Sequence, residues 1–218
     1  MTSSERDAER YLALPKRGSG KGILVLHSWW GLNDFFRGLC DRFAREGIVA
    51  LAPDFYRGKV ATTIDGARKL RAAVTASRRE PAYKFLIRMI QDLASHDAVT
   101  RPHIGVVGFS MGGHWAWWLA QRPELPIAAT VVFYAARSGD FSKSKSRFLG
   151  HFAESDDWVS AAGLKKLKRT LEKAGKNFVF HSYPGTTLWF FEEDRVDAFD
   201  QEAADVAWTR TVEFLQKL

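Results

Sequence analysis

Residues 103–121 read HIGVVGFSMGGHWAWWLAQ. The stretch from Ile104 to Phe109 is an apolar run of strand length, and the residues from Met111 onward suit a helix. Between them Gly108-Phe109-Ser110-Met111-Gly112 spells G-x-S-x-G. A strand, a serine and a helix in immediate succession put the serine on a sharp, strained turn. Its hydroxyl then projects above the end of the sheet. Glycines two residues to either side remove side chains that would collide there. The plainer alternative is a tight glycine turn that packs a helix on a strand. The strand before and the helix after favour Ser110 as a nucleophile. The helix that starts at this turn aims backbone N–H groups at the site, so the Met111 amide is a candidate oxyanion donor.

Working outward, short apolar strands alternate with amphipathic helices along nearly the whole chain, the mark of an α/β fold. RYLALP (10–15) and GILVLHS (22–28) flank the turn RGSGKG, reading as an early antiparallel pair or as a strand entering the sheet. LNDFFRGLCDRFAREG (32–47) has helical periodicity with Gly47 as a stop, and IVALAPDF (48–55) is a buried strand. Residues 63–76 and 81–96 read as two helices. IAATVVFYA (127–135), RFLGHFAE (147–154) and NFVFHSY (177–183) read as strands. SAAGLKKLKRTLEKAG (160–175) is a helix capped by Ser160 and stopped by Gly175, and residues 198–217 close the chain as a helix. There are no repeats, linkers or low-complexity segments, so residues 1–218 are expected to form a single domain.

Bulk properties narrow the class. The 218 residues are 46% hydrophobic and 26% charged, ordinary for a globular protein. No apolar run approaches the roughly 18 residues of a membrane span. The start, MTSSERDAER, lacks the apolar core of a signal peptide, and the single Cys40 suits a reducing compartment. A cytoplasmic protein is the expectation. Cys40 lies on the apolar face of its helix and reads as core. Net charge is +7, with basic residues gathered in 68–80, 142–147 and 165–176. No nucleic-acid motif accompanies them, so they read as solvated surface and not as a nucleic-acid or membrane interface, with steering of a carboxylate-bearing substrate as the alternative.

A serine nucleophile needs a base, and the base needs an orienting acid, in chain order Ser, Asp, His for this kind of sheet. HFAESDDWV delivers Asp156 and Asp157 at the C-terminal end of a strand, where open α/β sheets keep their sites. The base should follow the next strand. The loop there is YPGTTLWFFE (183–192), and it holds Leu188 and no histidine.

Taken together, YLALP, VLHSWWGLNDFF, ALAPDFYRGKVAT, VGFSMGG, HFAESDDWV and YPGTTLWFFEEDR resemble the dienelactone hydrolase family of α/β-hydrolases over almost the full length. The resemblance implies a three-layer α/β-hydrolase fold: a mostly parallel twisted sheet with helices on both faces and no large lid. It implies hydrolysis of esters or lactones without metal or organic cofactor, by a monomer or homodimer. It places Ser110 where the namesake enzymes carry cysteine, Asp156 rather than Asp157 at the acid, and the Trp29 and Met111 amides at the oxyanion hole. Those enzymes have Glu where Ser28 stands, part of a thiol-activating device that a serine nucleophile does not need. The family loop commonly reads Gly-His where this chain has Thr187 and Leu188.

Leucine cannot accept a proton, which leaves three readings. Another histidine substitutes, and of His27, His96, His103, His114, His151 and His181 only His27 lies beside the expected oxyanion loop; a structural role, hydrogen-bonding that loop, is its plainer reading. Alternatively the chain is a non-catalytic ligand-binding protein, or a hydrolase altered at one position, naturally or by design. Trp29, Trp30, Trp158 and the LWFF run that includes Trp189 fall in loops above the sheet. They line an aromatic pocket or pack the loops. Trp115, Trp117 and Trp118 read as core.

Overall fold

The computed structural model describes residues 9–76 and 81–218, so the polar N-terminal stretch and the end of the basic run 68–80 lie outside the described residues. The chain divides into two compact units, Met1–Ile104 and Gly105–Leu218.

The first unit holds β1 (Arg10–Ala13), β2 (Lys21–Leu26), α1 (Asp34–Arg45), β3 (Ile48–Pro53), α2 (Ile64–Ala76) and α3 (Ala82–Ala94), with strand order β1-β3-β2. β1 does not pair with β2. It runs antiparallel to β3, with Tyr11 opposite Ala52, while β2 lies parallel to β3. The glycine turn before β2 has another use for its backbone. Gly20 N–H donates to the Ala98 carbonyl, and the Gly20 carbonyl accepts from Thr100 N–H. α1 begins where the Asn33 side chain accepts from Phe36 N–H, and buries Phe35, Phe36, Leu39, Cys40, Phe43 and Ala44. Cys40 is core as expected, and burial pushes its thiol pKa up. Gly47 stops the helix at φ +80°.

The second unit holds β4 (Ile104–Phe109, beginning at the boundary), α4 (Met111–Ala120), β5 (Ile127–Phe133), β6 (Arg147–Ser155), α5 (Ala161–Lys173), β7 (Phe178–Thr187) and α6 (Gln201–Leu215). Its strands lie in the order β4-β5-β6-β7, with β5–β6 and β6–β7 parallel. Ser160 caps α5 by accepting from Gly163 N–H, and Gly175 ends it at φ +63°. Trp117 is fully buried and donates to the Ala135 carbonyl, but Trp115 and Trp118 are only half-buried. The core reading therefore holds fully for one of the three tryptophans.

β7 corrects the sequence reading. YPGTT is not loop; it continues the strand to Thr187. Between Ala153↔Tyr183 and Ser155↔Thr187, β6 advances two positions while β7 advances four, which makes a bulge. Gly185 takes φ +75° inside it, its N–H donates to Glu154 Oε2 at 2.9 Å, and the Thr186 hydroxyl donates to the Tyr183 carbonyl. Pro184 and Gly185 read as loop signals, yet an outer strand tolerates both at a bulge. The result is a mixed, mostly parallel set of seven strands with six helices among the described residues. No described helix is long and apolar enough to cross a membrane.

Candidate active site

Ser110 sits between β4 and α4 with φ +48° and ψ −109°, a left-handed conformation that costs a non-glycine residue about 1–3 kcal/mol. The neighbours that hold it there are close. Its N–H donates to the Phe133 carbonyl at the end of β5, and its carbonyl accepts from His114 N–H, both at 3.1 Å. A Cβ on Gly108 would come within 2.4 Å of the Gly112 carbonyl oxygen. Gly113, not singled out from the sequence, is equally constrained: its Cβ would meet Ala135 Cβ at 2.6 Å. These contacts fit a strained elbow better than an ordinary turn. Met111 opens α4, so its amide belongs to the first turn, where N–H groups point out along the axis.

Asp156 follows β6 and is half-buried, whereas Asp157 is exposed. Asp156 Oδ1 accepts from Trp158 N–H at 2.7 Å and from Val159 N–H at 3.1 Å. Its other oxygen, Oδ2, is buried and has no hydrogen-bond partner among the described residues. Burial holds the carboxyl above its ordinary pKa, opposed by those two N–H groups, with the neighbouring Asp157 charge adding to the rise.

Position 188 is fixed by register. Ser155 pairs with Thr187, so Asp156 and Leu188 are the first residues beyond the ends of two parallel neighbouring strands. Adjacent strands lie about 4.8 Å apart. Leu188 is half-buried and starts a turn in which Phe190 N–H donates to the Thr187 carbonyl and Trp189 adopts φ +73°.

The histidines differ in their surroundings. His151 is fully buried, its Nδ1 bonded to the Tyr183 hydroxyl at 2.7 Å and its Nε2 to the Thr211 hydroxyl at 3.0 Å. Burial holds it well below its ordinary pKa and therefore neutral, with the charges of His181 and Arg210 acting in the same direction. His181 is half-exposed on β7 and stacks on His151, and His114 is exposed on α4. In the first unit, His27 is fully buried. Its Nδ1 meets the Ser28 carbonyl at 2.6 Å, and its Nε2 accepts from Phe55 N–H at 3.3 Å. Both ring nitrogens are thus engaged by backbone, as the structural reading of His27 requires. His96 Nδ1 likewise accepts from Ala98 N–H.

The aromatics divide. Trp29 and Trp30 are buried, at 4% and 3% exposure, with their rings T-shaped at 5.6 Å. Trp158 is 59% exposed, and Trp189 is half-buried. Phe190 and Phe191 are core: Phe191 packs on Phe133 at 4.6 Å and Phe190 on Tyr183 at 4.8 Å. Sequence reasoning missed Tyr134 and Glu192. The Tyr134 hydroxyl donates to Glu192 Oε1 at 2.8 Å, and Glu192 is fully buried. Only a buried charge next to an aromatic run could have hinted at it. Among the described residues no group of three or more His, Cys, Asp or Glu is placed to hold a metal ion.

Comparison with solved structures defines the class as an α/β-hydrolase fold. A dienelactone hydrolase-like promiscuous phosphotriesterase from metagenomic libraries superposes with TM-score 0.82 at 20% identity, covering 96% of this chain and 92% of its own. The family model for the dienelactone hydrolase family matches residues 8–218, and this chain belongs to that family. The protein usf of Aquifex pyrophilus is 34% identical over 95% of this chain and 92% of its own length. A protein of Aquifex aeolicus that carries the provisional name carboxymethylenebutenolidase is 30% identical over 94% of this chain and 91% of its own length.

Proposed function

We propose that this chain is a serine-type hydrolase of carboxylic esters or lactones whose proton-accepting position is held by Leu188, so that turnover is slow. Ser110 is the nucleophile, Asp156 the acid that would orient a base, and the Met111 amide an oxyanion donor. The Trp29 amide is the second donor, an assignment that rests on the family resemblance alone. Trp30, Trp158 and Trp189 are the candidate substrate contacts. The substrate class rests on the family and on the lactone-hydrolase name of the Aquifex aeolicus relative.

One observation carries the reading: the buried Oδ2 of Asp156 has no partner among the described residues, and Asp156 and Leu188 directly follow the paired Ser155 and Thr187. In a serine triad that oxygen accepts from the Nδ1–H of the base. Here the acceptor stands and the donor is missing. A serine hydroxyl without a base is a weak nucleophile at neutral pH. In subtilisin, loss of the histidine costs roughly 10⁶ in kcat and leaves roughly 10³–10⁴ over water. A second reading, a ligand-binding protein without turnover, is favoured by the apolar Leu188 side chain itself.

Hydrolysis of a short-chain p-nitrophenyl ester and of a small lactone separates the two. The parent shows a low rate that Ser110→Ala abolishes, and Leu188→His raises kcat by at least about a hundredfold. A parent rate untouched by Ser110→Ala excludes triad chemistry and favours the binding protein. No gain from Leu188→His removes position 188 from the mechanism.

A further inference from the structure

Phe133 and Tyr134, adjacent at the end of β5, each hold a different part of the candidate site. The Phe133 carbonyl accepts from Ser110 N–H. The Tyr134 hydroxyl reaches a residue 58 positions along the chain, Glu192, at 2.8 Å. Tyr134 takes φ +39°, and its own N–H donates to the His151 carbonyl on β6 at 2.8 Å, so its backbone is pinned to the next strand. Its ring meets Phe190 in a T-shaped contact at 5.8 Å, while Phe133 packs on Phe191. The turn that begins at Leu188 is therefore held at its far end by residues 133 and 134, and the first of these also holds the nucleophile's backbone.

Burying the Glu192 carboxylate is costly unless donors reach it. A tyrosine hydroxyl donating to a carboxylate is a strong, directional contact. Burial, and next the Glu192 charge, push the Tyr134 phenol well above its ordinary pKa, so it stays protonated and keeps donating.

We infer that Tyr134 is a positioning residue: through its hydrogen bond to Glu192 it clasps the 188–192 turn and sets the distance between position 188 and Ser110. The inference rests on the proposed assignment of position 188 as the base site. A proton acceptor must stand within hydrogen-bond reach of the hydroxyl it serves, and a misplacement of about 1 Å can cost about a hundredfold.

Two measurements test it. In the parent chain, amide hydrogen exchange across 186–200 speeds up about tenfold in Tyr134→Phe and in Glu192→Ala. It stays near parental in Glu192→Gln, whose amide oxygen still accepts the bond. Unchanged exchange in Tyr134→Phe overturns the clasp, whatever the activity. In the Leu188→His background, Tyr134→Phe lowers kcat at least about tenfold with KM within about twofold, and Glu192→Gln retains most of the activity. Equal kcat in Leu188→His with and without Tyr134→Phe overturns the positioning role. An equal loss in Glu192→Gln and Glu192→Ala overturns the hydrogen bond as its means. If Leu188→His gains no activity while exchange responds as stated, the base assignment fails and the clasp stands.

Discussion

At Asp156 two opposing effects meet. Burial disfavours the charged carboxylate, while the Trp158 and Val159 amides favour it, and the net pKa lies above the ordinary value. The folded state therefore holds this proton more tightly than the unfolded chain does. Stability falls as pH rises from the ordinary carboxylate value, about 3.9, through the raised one. Above that window the ionised group is a standing cost that an imidazolium would relieve. Asp156→Asn, which keeps an oxygen for the two amides, should raise Tm at neutral pH by up to about 3 °C after discounting for partial exposure. The gain should vanish at low pH, where Asp156 is protonated anyway. Calorimetry at pH 7 and pH 3.5 checks it, and an Asn variant that melts lower at pH 7 means Oδ2 has a favourable partner. Such a cost fits a site kept for function at some expense of stability.

The elbow is built by close backbone approach as well as by a signature. Because a Cβ at residue 108 would strike the Gly112 carbonyl and the Gly113 nitrogen, which are backbone and cannot swing aside, Gly108→Ala should cost about 3 kcal/mol in urea unfolding. A neutral result would mean that β4 and α4 part more easily than these contacts imply. Features carried by local sequence were legible: the β4–Ser110–α4 turn, the helix stopped by Gly47, the Ser160 cap, and Asp156 at a strand end. Features that depend on distant partners were not. The antiparallel partner of β1 is β3 because the turn before β2 bonds instead to residues 98–100. β7 runs on to Thr187 because Glu154 and an αL glycine stabilise a bulge where Pro184 and Gly185 signal a loop. The Tyr134–Glu192 bond joins residues with no motif and no periodic relation.

On the scale of the whole molecule, the basic stretch of α5 is solvated surface. Lys165, Lys166, Lys168, Arg169 and Lys173 lie on the exposed side of α5, while Leu167 and Leu171 face inward. The strand ends of β4, β6 and β7 carry the strained Ser110, the one Asp156 oxygen that has no partner among the described residues, and Leu188. The proposed assignment puts the base at position 188, where leucine cannot supply it. The most direct test is a nuclear magnetic resonance spectrum of the Leu188→His chain with labelled histidine. The account predicts an imidazole Nδ1–H proton shifted far downfield by donation to Asp156, lost when Asp156→Ala is added. A residue-188 imidazole that titrates like the free side chain, with no such proton, would contradict the claim that position 188 is the seat of the base.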